Sequence, residues 1–156
     1  MDTITVIFTK DYYNILSWLI RWTLPRSRFA LALSSHCLID IGDGLLYQAI
    51  GLSGMCTTNM AKIKETDTIV AIKKYPINNK EAAITFLKSQ LGKKYDYLGA
   101  LGLALAPSRK WDEDDSWFCY ELAANAISAG GGEQFSNLNH ITETALLAIQ
   151  STDVTP

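Results

Sequence analysis

Hydrophobic positions along this chain recur with two periods, and the switches between them divide it into short elements. Residues 3–9 are dominated by Thr, Ile and Val and predict a short strand. From Asp11 the period lengthens. Tyr12, Ile15, Leu16, Leu19 and Ile20 fall on one helical face, flanked by Trp18 and Trp22, and Pro25 closes the helix. Residues 35–41 read as a strand, Gly42, Asp43 and Gly44 as a hairpin loop, and residues 45–50 as the returning strand. After a turn at 51–54, residues 60–64 and 66–75 read as further strands, the second ending at Pro76.

Asn78 or Asn79 caps an amphipathic helix whose buried stripe is Ala82, Ala83, Phe86, Leu87 and Leu91, with Gly92 as its stop. Residues 93–105 predict a small-residue helix, and residues 107–115 a polar loop ending in four acids, Asp112, Glu113, Asp114 and Asp115. Ser116 or Asp115 opens the next helix, which carries Cys119 in its first turn. Leu122, Ala123, Ala126 and Ile127 form its buried face, and three glycines from Gly130 stop it. Residues 135–140 read as loop, 141–149 as a short last helix, and 151–156 as a frayed tail.

The hairpin and the cysteine helix carry the candidate chemistry. A cysteine at a helix start meets unpaired amides and the positive end of the dipole, both of which favour the thiolate. The bland role for such a residue is that of a small buried hydrophobe. Nucleophilic cysteine chemistry also needs an imidazole beside the sulfur and a polar group to orient it. His36 and Gln48 are available on the two hairpin strands, and the loop length decides whether they meet. A three-residue loop sets Leu38 opposite Gln48 and puts His36 and Gln48 on one face as diagonal neighbours. A two-residue turn at Asp43 and Gly44 puts them on opposite faces. With Cys119 brought to His36, the first-turn amides of the cysteine helix would supply an oxyanion hole.

Length and composition narrow the classes. A chain of 156 residues suits one domain, residues 1–156, with a real core. A net charge of −2 gives no electrostatic case for nucleic acid or an anionic membrane as partner. Cys37, Cys56 and Cys119 form no CxxC pair, and His36 and His140 lie far apart, so no disulfide framework, metal site or cofactor is expected. The first residues lack a basic run before an apolar one, and the apolar stretch 12–24 is broken by Asn14, Ser17 and Arg21. We therefore expect no signal peptide, no membrane insertion and synthesis in the cytoplasm.

Three stretches in order carry a family likeness: Ser35-His36 leading into the Gly42-Asp43-Gly44 hairpin, Gly92 followed by Tyr95-Asp96, and Trp117-Phe118-Cys119-Tyr120-Glu121-Leu122. Over roughly residues 30–130 the chain resembles the circularly permuted papain-like hydrolases of the NlpC-type superfamily. The likeness is to the YiiX-like and lecithin:retinol acyltransferase-like branch, in which histidine precedes cysteine.

The resemblance implies an α+β fold with a papain-like core, an antiparallel sheet packed against helices. It implies Cys119 as nucleophile, His36 as base and Gln48 as the third polar residue, and it places Tyr95 and Asp96 near the site. Trp117 and Tyr120 flank the nucleophile, and we expect these four to contact substrate. The chain departs from the family at Tyr120, where a small serine is usual and where the ring would narrow the cleft. It departs again at Cys37, where valine is usual and whose side chain should point to the face opposite His36. The implied activity is a cysteine peptidase or amidase acting on peptide crosslinks of bacterial cell walls, and the small size and lack of an export signal lead us to expect delivery by a phage tail or another virion assembly. Two alternatives stand beside it: an acyltransferase-like enzyme of lipid amides or esters, and a structural virion protein with a vestigial site.

Overall fold

The computed structural model describes residues 2–10, 34–97, 116–136 and 141–154. The helix expected from Asp11, the expected helix beyond Tyr97, the acidic loop and His140 lie outside the described residues. The described part is a mixed α+β structure built on an antiparallel sheet.

The β-branched run at the N-terminus forms strand β1 (Asp2–Lys10). It is followed by β2 (His36–Asp40), β3 (Leu46–Ile50), β4 (Gly54–Thr58), α1 (Met60–Thr66), β5 (Thr68–Ile77) and α2 (Lys80–Gln90). Two short strands, β6 (Lys94–Tyr95) and β7 (Ser116–Trp117), precede α3 (Cys119–Ala129), and α4 (Glu143–Ala148) and β8 (Thr152–Asp153) close the fold. Among the described residues the main sheet has six strands in the order β4-β3-β2-β1-β5-β8, and β6 and β7 pair in parallel beside it.

The hairpin takes the longer of the two possible loops. Ile39 pairs with Tyr47 and Asp40 with Leu46, the register that a loop of Gly42, Asp43 and Gly44 demands. Both glycines adopt positive φ, 78° and 85°, which other residues resist. Asp40 accepts the Gly42 N–H and Asp43 accepts the Leu45 N–H, so the turn satisfies its own backbone.

Alternation along the strands separates two faces. Val6, Phe8, Cys37, Ile39, Tyr47 and Ala49 join the main core with Leu122, Ala123, Ala126 and Ile127 of α3. Ile7, Leu38 and Leu46 point the other way and bury Ile63 of α1.

Several expected elements differ. The segment from Met60 is a helix: Asn59 Oδ1 accepts the Lys62 N–H and satisfies a first-turn donor, and one buried residue, Ile63, suffices to anchor it. Strand β5 continues through Pro76, which pairs with Thr3 of β1 and lies beyond the stretch, Lys73 and Lys74, that β8 joins. Asn79 caps α2, and Ala83 and Leu87 are buried as expected. Leu91, however, falls just beyond the helix and is exposed. Lys94 and Tyr95 are strand instead of helix. The tail pairs with β5, tied by Lys73 Nζ to Asp153 Oδ1 at 2.7 Å, an exposed contact worth well under about 1 kcal/mol.

Strand β4, which the sequence pattern did not announce, depends on one glycine. Gly54 has φ of 64°, and a Cβ there would lie 2.2 Å from the Lys93 carbonyl oxygen, beside the bonds that join Met55 to Gly92 and Lys93. Gly54→Ala must either reverse that torsion or push β6 away. We expect a loss of about 3 kcal/mol, read as a lower urea midpoint with an unchanged slope. An unchanged midpoint would mean that β4 tolerates separation from β6.

Candidate active site

Helix α3 begins at Cys119 itself. Phe118 is its N-cap in extended geometry and makes no side-chain capping bond, because phenylalanine has no acceptor. The expected cap Ser116 is displaced, since it forms β7 with Trp117 against Lys94 and Tyr95, and Asp115 lies outside the described residues. The result suits a thiolate, since the cap side chain does not compete for the first-turn amides.

Strand β2 starts at His36, and its first residues lie against the start of α3. The His36 imidazole lies close enough to the Cys119 side chain for each to shift the other's titration. Its Nε2–H donates to Gln48 Oε1 at 3.1 Å, which leaves Nδ1 as the ring nitrogen for sulfur. The register explains the second contact. Carried along both strands, it sets Gln48 opposite Leu38 and diagonal to His36. Gln48 is held in turn by its amide donating to Cys56 Sγ on β4, at 3.8 Å.

Cys119 has 1 % of its surface exposed, and burial alone would push its thiol up. The Cys37 thiol, the His36 imidazole and its charge, and the Cys37 backbone N–H outweigh burial, pulling the pKa from 9.0 to about 5. Burial likewise pushes His36 down. The contact with Cys119, the thiolate charge, the Gln48 bond and the charge of Asp67 together raise it above 6.5. The stable form of the pair is therefore thiolate and imidazolium.

Two carboxylates near the site have no signal in the sequence. Asp67 follows α1 and accepts a hydrogen bond from Thr9 Oγ1 at 2.8 Å, and Thr9 is the cross-strand partner of His36. Its carboxylate supplies negative charge that neutral Gln48 lacks. Glu143 of α4 is 4 % exposed and accepts both the Ser34 N–H, at 2.8 Å, and the Ser34 hydroxyl, at 2.6 Å. The Ser34 oxygen also bonds the Tyr120 hydroxyl at 2.9 Å.

Side chains expected at substrate have other occupations. Tyr120 has no exposed surface. Its ring sits between Phe8 and Phe118 and packs into the core. Tyr95 and Asp96 are buried, with Tyr95 edge-on to Tyr97 and Phe118. Half-buried Trp117 donates its indole N–H to Gln90 Oε1 at 3.1 Å and meets Phe86 edge-on, which ties β7 to α2. Cys37 does alternate away from His36 as expected, but the face it joins is the one that packs on α3.

Among the described residues, no group of three or more His, Cys, Asp or Glu is placed to hold a metal ion, and no helix is long and apolar enough to cross a membrane. Comparison with protein-family models, curated proteins and solved structures finds no match.

Proposed function

We propose that this chain is an enzyme of thiol-dependent acyl transfer with a papain-like core. Within that class, the reading we favour is a cysteine amidase or endopeptidase acting on peptide crosslinks of bacterial cell walls. One observation carries the class: the Cys119 thiol and the His36 imidazole are close enough to shift each other's titration, and His36 is hydrogen-bonded to Gln48. The cell-wall substrate rests on the motif resemblance around His36, Tyr95-Asp96 and Cys119.

In this reading the Cys119 thiolate attacks the amide carbonyl, and the developing oxyanion faces the amides at the start of α3. His36 gives its proton to the leaving amine, and the acyl group stays on sulfur. His36 then takes a proton from water, which attacks the thioester and releases the acid. Gln48 holds the ring in the tautomer and orientation that both steps need.

The test is digestion of purified crosslinked muropeptides by the wild type and by Cys119→Ala, with new amine and carboxylate ends read by mass spectrometry. We expect cleavage by the wild type alone. Its kcat/KM should follow a bell in pH, with an acid limb near 5 where the thiolate gains a proton, and an alkaline limb above 6.5 where the imidazolium loses one. Equal products from Cys119→Ala would overturn the reading. The 1 % exposure of Cys119 favours a second reading, a virion scaffold with a retired site. Wild-type protein that cleaves neither amides nor esters would select it.

A further inference from the structure

Cys37 follows the base in β2 and pairs across the sheet with Phe8. Strand alternation aims it at α3, where its Sγ donates to the Cys119 carbonyl oxygen at 3.2 Å. With its one thiol hydrogen on that carbonyl, Cys37 sits beside the Cys119 sulfur, and both its thiol and its backbone N–H favour the Cys119 thiolate. The nucleophile is thus gripped by two consecutive residues of one strand, one through an imidazole and one through a thiol.

Two buried thiols in contact do not both ionise, because the second charge would sit beside the first in a medium with little screening. The groups around the pair decide which one keeps its proton. On the Cys119 side is His36, a cation partner. Behind Cys37 is the carboxylate of Glu143, held in place by Ser34. Among the described residues the other ionisable neighbours are phenols: Tyr120 on α3, Tyr75 on β5 and Tyr95 on β6. All three are pushed upward, by burial first, and stay neutral. Burial, the bond to Cys119, the thiolate charge and Glu143 together push the Cys37 thiol well up. The asymmetry is built in: cation on one side, anion on the other.

We propose that Cys37 is a positioning residue for Cys119, a retained thiol donor that fixes the first residue of α3 and keeps the negative charge on the Cys119 sulfur. The proposal rests on the reading of Cys119 as a thiolate nucleophile. It assigns a reason to a cysteine in the strand position beside the base, where an aliphatic side chain would fill the same space but give no hydrogen.

The experiment compares Cys37→Thr with Cys37→Val, which have the same shape and differ in whether a donor is present. Alkylation of Cys119 by iodoacetamide is followed against pH on the Cys119 peptide by mass spectrometry, with Cys56 left in place. Each rate is scaled to its own high-pH plateau, so accessibility cancels. We expect a wild-type midpoint near 5 and a midpoint higher by about 1 in Cys37→Val, making the scaled rate at pH 5 about fivefold slower. Cys37→Thr should recover most of the difference, which a packing role would not predict. If valine prevents folding, Cys37→Ala removes the donor without adding bulk. A low wild-type midpoint that the donor-less variant leaves unmoved overturns the role of Cys37 alone. Failure of threonine to recover the midpoint in a folded protein does the same. A wild-type midpoint in the ordinary thiol range overturns both this proposal and the nucleophile reading beneath it.

Discussion

His36→Ala slows alkylation of Cys119 at pH 7 by on the order of a hundredfold, because it removes the cation that makes a buried thiolate tolerable. In the wild type the thiol has a pKa of about 5, so at pH 7 nearly all of it is ionised. Without the imidazole, burial opposes ionisation and the Cys37 donors support it. The balance returns toward the ordinary value of 9.0, where about one sulfur in a hundred is ionised at pH 7. The measurement is the pH midpoint on the Cys119 peptide, with circular dichroism to establish that the variant folds. His36 is half-buried at the first residue of β2, so its loss opens little of the main core. A variant that folds and keeps a midpoint near 5 would remove His36 from the site.

Tyr120→Ala lowers stability by about 3–5 kcal/mol, the cost of emptying a large aromatic site in a packed core. The ring is fully buried, stacked at 6.5 Å from Phe8 and edge-on to Phe118 at 5.3 Å. Its hydroxyl closes a chain from Ser34 to Glu143 that joins the starts of β2, α3 and α4. Tyr120→Phe should cost only about 1 kcal/mol, since Ser34 still donates to Glu143 and loses just one of its partners. Urea unfolding of the two variants checks both figures. If alanine left stability unchanged and altered only substrate preference, the ring would be acting at a cleft.

These two residues show where the sequence was sufficient and where it was not. The meeting of His36 with Gln48 was legible as a fork with two outcomes. The loop Gly42, Asp43 and Gly44 chose one of them through torsions that glycine alone adopts freely. The place of Tyr120 was not legible, because its position one residue past the nucleophile says nothing of which side of the helix start is walled off. Burial of a ring depends on Phe8 from the first strand, more than a hundred residues earlier in the chain.

By itself the sequence determined the elements whose cause is local. Alternation at β1 and β5, the cap at Asn79, the apolar stripe of Ala83 and Leu87, and the stripe of α3 all follow from side-chain period and from which residues satisfy a helix end. It misread Met60 because five residues offer too few periods to separate helix from strand, and the cap at Asn59 went unused. Only the tertiary structure decided the partners of short strands: β4 on β3, β6 on β7, β8 on β5. It alone brought Glu143 to Ser34 across 109 positions, and Asp67 to Thr9 across 58. A buried carboxylate or thiol gains its hydrogen bonds from whichever backbone the packed core delivers, and the stabilisation exists only once solvent has been excluded from both groups. That is why the candidate nucleophile was readable from its place at a helix start and His36 from the hairpin, whereas Asp67 and the donor role of Cys37 were not.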